Sequence, residues 1–141
     1  MASHRIKFRV YYEDTDAGGI VYHARYLAFA ERARTEAIRS VGISVVELAH
    51  EEGLHFVVRK ADLRFRGSLR LDDEMDIETS LTGMTPTRLL LLQTFRNATR
   101  DCEISTIVNV ELACLTVDTM RPSKIPPHWC VPIQKLADGL T

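Results

Sequence analysis

The residues between positions 12 and 36, YEDTDAGGIVYHARYLAFAERARTE, bring two carboxylates, two glycines and a histidine to the start of a helical pattern. Asp14 and Asp16 precede Gly18-Gly19, and Tyr22-His23 follow. The plain reading of Asp14-Thr15-Asp16 is a turn and a helix cap, because aspartate favours both. The surroundings add a chemical reading. A helix N-terminus presents unpaired N–H groups and the positive end of the helix dipole. Such donors hold the oxyanion that forms when a carbonyl is attacked. A carboxylate held just upstream by a Gly-Gly turn can attack that carbonyl or activate water. A thioester suits so weak a nucleophile, because the thiolate leaves readily.

These residues need a scaffold, and the periodicity describes one. Residues 5–12 alternate, with Ile6, Phe8 and Val10 on one face, as in a half-buried strand. From Tyr22 or His23 to Val41 the period becomes helical: Tyr26, Ala30, Ala33, Ala37 and Val41 form a stripe widened by Leu27, Phe29 and Ile38. Arg32 and Glu36 are spaced to pair on the wetter side, and Gly42 stops the helix. Alanines in the stripe let a sheet approach the helix axis, which predicts a wrapped helix. Ser44 caps a shorter helix that ends near Gly53.

Strands follow. Residues 56–66 carry Val57, Ala61, Leu63 and Phe65 on one side, with Arg59 as the exception; residues 75–82, 88–96 and 104–117 continue the pattern. In the last, Ile104, Val108, Val110, Leu112 and Cys114 share a face. Prolines 122, 126, 127 and 132 predict an irregular tail with a short helix over 133–138. A strand, a long helix and consecutive strands with short turns make an α+β domain, with an antiparallel sheet packed on one main helix, spanning 1–141.

Other chemistries are excluded. The sequence has no Gly-x-Ser-x-Gly elbow and no dinucleotide or phosphate-loop glycine pattern. His50 and His55 stand five apart, roughly 140° around a helix, and cannot share a metal from one face. A formal net charge of −1 argues against a dedicated nucleic-acid partner. Three cysteines without a Cys-x-x-Cys pair fit a reducing compartment, and Cys114 reads as a buried, inert thiol. No secretory leader and no run long enough to span a bilayer is evident, so a cytoplasmic location is expected.

The pattern Tyr12-x-Asp14-Thr15-Asp16-x-x-Gly19-x-Val21-Tyr22-His23-x-x-Tyr26, followed by Glu31-Arg32-Ala33-Arg34, resembles the signature of hotdog-fold acyl-CoA thioesterases of the 4-hydroxybenzoyl-CoA type. Within that family it is most similar to the Tol-Pal-associated (YbgC-type) thioesterases. Phe56-Val57-Val58-Arg59-Lys60 and Leu71-Asp72-Asp73 extend the resemblance over about 7–122, which leaves the tail outside it. The resemblance implies a hotdog fold, one long helix wrapped by an antiparallel sheet. It implies edge-to-edge dimers, often doubled to tetramers, with active sites at the dimer interface. It assigns catalysis to Asp16, as nucleophile or general base, and an oxyanion-hole N–H to His23, whose imidazole is also placed to orient water or substrate. Asp14 becomes a support residue, and Tyr22 and Tyr26 become packing or pocket walls. No metal or organic cofactor is needed.

Coenzyme A carries phosphates, so a basic surface is expected near the pocket mouth. Arg59, Lys60 and Arg88 are the candidates, beside the plain alternative of a solvated strand face. The resemblance implies a short-chain aliphatic acyl-CoA as substrate, with aroyl-CoA and acyl carrier protein thioesters behind it. Two other readings compete: a hotdog hydratase, which spaces its Asp and His differently, and a non-catalytic module that binds acyl carrier protein or its acyl chain.

Overall fold

A computed structural model describes residues 3–137. Strand β1 (His4–Arg9) leads through a 3-10 turn at Tyr12–Asp14 into helix α1 (Arg25–Ser40). A short helix α2 (Val45–Glu47) runs on as a π-helical turn over Leu48–Glu52. Then come β2 (Leu54–Phe65), β3 (Glu74–Met84), β4 (Arg88–Asn97), β5 (Glu103–Thr116) and helix α3 (Pro127–Gln134). The five strands form one antiparallel sheet in the order β1-β3-β4-β5-β2. This is the α+β hotdog arrangement expected from the sequence.

Alanine explains how closely the sheet meets α1. Ala30, Ala33 and Ala37 are fully buried, beside Tyr26, Phe29 and Ile38. With no longer side chain in the way, Gln93 on β4, itself buried, donates its Nε2–H to the Ala30 carbonyl at 2.8 Å and to Thr79 Oγ1 at 3.0 Å. The sheet therefore bonds to the helix backbone itself. Leu27, assigned above to the stripe, is exposed instead, because the alanine face turns it away from the sheet. Arg32 packs over the Phe29 ring at 5.5 Å, and Glu36 pairs with Arg39 at 3.5 Å.

Two β-bulges correct the strand faces read from the sequence. Val58 opposes Leu112 while Lys60 opposes Glu111, so Arg59 is an extra residue. Below it the helix-facing side of β2 is Leu54, Phe56 and Val58; above it, Ala61, Leu63 and Phe65. Val57 thus lies on the other face. In β5 the register shifts at Ser105, which moves Ile104 off the face shared by Val108, Val110, Leu112 and Cys114. Cys114 is fully buried, and burial pushes its thiol pKa up.

The tail is also more regular than expected. Pro127 takes the first position of α3, where a fixed φ and a missing N–H cost nothing. The helix therefore begins six residues before the expected 133, and ends at Gln134. Asp138, the expected end, lies outside the described residues. Ile133, Leu136 and Ala137 join the core, and Leu81 N–H bonds to the Leu136 carbonyl at 2.7 Å.

Enlarging the helix contact tests the wrap. Ala33→Leu should destabilise the fold by ~1–3 kcal/mol through overpacking, read as a lower urea midpoint. An unchanged midpoint would mean that the sheet does not clasp α1.

Candidate active site

The turn that follows β1 is built around its own side chains. Asp16 N–H bonds to the Ile20 carbonyl at 2.9 Å, and Gly19 N–H to the Asp16 carbonyl at 3.0 Å. Gly19 takes φ +79°, a region that glycine enters without strain. Gly18 N–H donates to Asp16 Oδ1 at 2.8 Å, and a Cβ on Gly18 would stand 3.2 Å from that same oxygen. The glycine pair therefore closes the turn and leaves room for the carboxylate. Asp16 is exposed, and its Oδ2 has no partner among the described residues.

Asp14 has the opposite environment. It is buried, its Oδ2 accepts the Tyr11 N–H at 2.9 Å, and its Oδ1 accepts Arg25 at 2.6 Å and 3.2 Å. Arg25 is the first residue of α1, so this ion pair fixes the turn to the helix start. Both carboxylate oxygens are occupied within the protein. The sequence does not reveal its partner Arg25, because the two lie in different elements and no single periodicity relates them.

Helix α1 starts at Arg25, so His23 lies in the turn that leads into it. Ala24 occupies the cap position without a side-chain hydrogen bond, and the first turn contains no acidic residue. Among the described residues the His23 N–H has no acceptor. The positive end of α1 is thus open. Asp16, His23, Tyr26, Val21, Phe65 and Ser68 all line one cavity of about 410 Å³. Tyr26 is buried, edge-on to Phe65 and Phe95, with its hydroxyl 3.5 Å from Ser105 Oγ. Tyr22 stays half-exposed, with its ring tilted against the His23 ring at 4.4 Å between centroids. Ser105 is a further residue that the sequence did not reveal: only the bulge in β5 turns it inward, where it bonds to the Gly67 carbonyl at 2.9 Å.

The basic candidates lie elsewhere within one protomer. Arg59 is six residues along β2 from Phe65, roughly 20 Å at a strand's rise. Arg59 and Arg88 both contact Glu111 at 3.5 Å, which accounts for them as a structural ion-pair group. Lys60 lines a separate groove on the sheet face away from α1, with Asp62, Arg64 and Glu111. None of the three borders the Asp16 cavity.

Comparison with known proteins places the chain. The family described as "Thioesterase-like superfamily" matches residues 10–133. The chain belongs to this superfamily. The match reaches α3, so the family resemblance extends past 122 into the tail. The acyl-CoA thioester hydrolase YbgC of Escherichia coli O6:H1 (strain CFT073) is 44% identical over 121 residues, covering 84% of this chain and 86% of its own. A probable thioesterase from Bartonella henselae is 32% identical, with a TM-score of 0.81 and coverage of 89% and 100%. A mutant 4-hydroxybenzoyl-CoA thioesterase complexed with 4-hydroxybenzoyl-CoA shares the fold at a TM-score of 0.87 and 15% identity, with coverage of 94% and 99%.

The Asp14–Arg25 pair can be probed alone. Asp14→Ala leaves the Tyr11 N–H and the Arg25 guanidinium without their acceptor, and should cost about 1–3 kcal/mol in denaturant unfolding. Wild-type stability in that variant would mean that the pair does not anchor the turn.

Proposed function

We propose that the protein hydrolyses acyl-CoA thioesters, with water and acyl-CoA giving a carboxylic acid and free coenzyme A. The observation that carries this reading is one cavity bordered by a carboxylate with a free oxygen and by the uncapped start of a helix. A thioester carbonyl oxygen at the helix start accepts the His23 N–H, and the dipole of α1 stabilises the charge that develops there. Asp16 adds to the carbonyl carbon, or takes a proton from the water that does. The tetrahedral intermediate collapses with loss of the thiolate, which takes up a proton to give coenzyme A; in the direct route water then hydrolyses the acyl–Asp16 anhydride to the carboxylic acid and free Asp16. Gly18 N–H holds one Asp16 oxygen and so aims the other. Tyr26 and Phe65 wall the cavity, and Tyr22 steadies the His23 ring.

The relatives named acyl-CoA thioester hydrolase and acyl-CoA thioesterase support turnover over mere acyl carrier protein binding. Acyl carrier protein thioesters remain within the reading as alternative donors of the same acyl group. The association with Tol-Pal has the motif resemblance as its support. A cytoplasmic setting is supported by Cys102, Cys114 and Cys130, all of them free thiols. Among the described residues no helix is long and apolar enough to cross a membrane.

The reading includes a dimer. Strand β2 is a sheet edge, and its residues 58–62 are all exposed, which leaves a row of backbone groups for a second copy to pair with. Such pairing joins two sheets into one and brings the far end of the second copy's β2 to the Asp16 cavity. Leu90, Leu92 and Ile107 on the opposite sheet face supply an apolar contact for a dimer of dimers.

Asp16→Asn should lower turnover on the order of 10²-fold or more while leaving the circular dichroism spectrum unchanged. Thiol release at the wild-type rate by that variant would remove Asp16 from the mechanism. Single turnover in ¹⁸O water separates its two roles, since label reaches Asp16 only by the direct route, through hydrolysis of the mixed anhydride.

A further inference from the structure

A second cavity, of about 260 Å³, lies between α1, α2 and β2. Its walls include Ile38, Val45, Leu48, Phe56 and Leu112, and it contains one cation, Arg34. Arg34 is half-buried and makes no ion pair or hydrogen bond among the described residues. Glu31 and Thr35 also line the cavity, and Thr35 Oγ1 donates to Glu31 Oε2 at 2.6 Å, so neither is hydrogen-bonded to Arg34. Burial pushes the Arg34 pKa down, and the Glu31 charge only partly opposes this. A guanidinium withdrawn from water without a partner is costly, and an anion that reaches it is bound strongly.

The two cavities stand at opposite ends of β2. Phe65 borders the Asp16 cavity and Phe56 the Arg34 cavity. Both rings lie on the helix-facing side, opposite the buried Thr106 and Cys114. In one protomer they are roughly 30 Å apart along the strand. Antiparallel pairing of two β2 edges reverses that relation. Pairing centred on Lys60, the midpoint of the exposed run 58–62, with the extra residue Arg59 passed over, sets Phe65 of one copy opposite residue 54 of the other, on the same helix-facing side. The Asp16 cavity of one subunit then abuts the Arg34 cavity of its partner.

We propose that the Arg34 cavity of each subunit receives the far end of the acyl group whose thioester lies at Asp16 of the other, and that it selects short acyl groups ending in a carboxylate. This rests on the thioesterase and dimer reading above. An apolar cavity of roughly 150 Å³ holds benzene, so this one has room for a chain of about four to six carbons with its carboxylate on Arg34. Arg34 acts here in substrate selection and takes no part in bond breaking.

The test compares kcat/KM for succinyl and glutaryl thioesters with that for their uncharged, methyl-branched isosteres, each as the CoA and the N-acetylcysteamine ester. Wild-type protein should favour the charged acyl group on both carriers. Arg34→Met should lower that preference about 10- to 100-fold, the scale of a charge-assisted hydrogen bond, and Arg34→Lys should restore part of it. A mixed dimer of Asp16→Asn and Arg34→Met subunits should regain the wild-type preference, since one of its sites draws both native residues from different chains. Loss of the preference in that mixed dimer would place both residues in one subunit's site and overturn the proposal. An Arg34→Met loss that is equal for all CoA esters and absent for N-acetylcysteamine esters would assign Arg34 to the phosphates of coenzyme A instead. Active wild-type protein without the preference overturns this inference alone. Protein inert on every ester overturns the thioesterase reading with it.

Discussion

The ion pair between Asp14 and Arg25 joins the two halves of the site. One half is a tight turn whose glycines allow Asp16 to fold back on Gly18 N–H. The other is the start of α1, where backbone donors are left open. Asp16, Ala17 and Gly18 in the turn, and Tyr22, His23 and Ala24 before the helix, are exposed. The 2.6 Å contact, sheltered on the Asp14 side, ties the turn to the helix start. Two carboxylates two residues apart therefore do opposite work: one is saturated and buried, the other is kept half-free at the cavity.

That arrangement depends in turn on the seat of α1. Fully buried alanines bring the helix backbone within reach of Gln93, and Tyr26 packs between Phe65 and Phe95 at the end where the cavity opens. Packing this tight leaves little freedom for the helix start to shift against a bound carbonyl. The opposite edge of the sheet is unfinished by comparison. β2 is an edge strand with residues 58–62 exposed, and the two cavities lie towards its opposite ends.

Much of this was legible in the residues. The alanine stripe, the Gly18-Gly19 turn and the Asp16-to-His23 spacing each have a local cause, and local causes survive in a one-dimensional pattern. Register was less legible. Arg59 and Ser105 each add one residue to a strand, and a single insertion reverses every later side chain, so Val57 and Ile104 were placed on the wrong faces. The proline-rich tail misled for another reason: Pro127 starts a helix instead of breaking one. Arg59, Lys60 and Arg88 looked like a phosphate site because charge is visible in sequence, whereas the Glu111 carboxylate that meets two of them across the sheet is not. Arg34 gave the converse case, since nothing in its spacing shows that it lacks a partner.

The central claim is that a thioester carbonyl sits between the residue 16 side chain and the open start of α1. A crystal structure of the Asp16→Asn protein with an intact, slowly turned-over acyl-CoA tests it most directly. The account predicts the carbonyl oxygen within hydrogen-bond distance of the His23 N–H, with the residue 16 side chain against the carbonyl carbon. A thioester bound instead in the groove lined by Lys60, on the far face of the sheet, would contradict it.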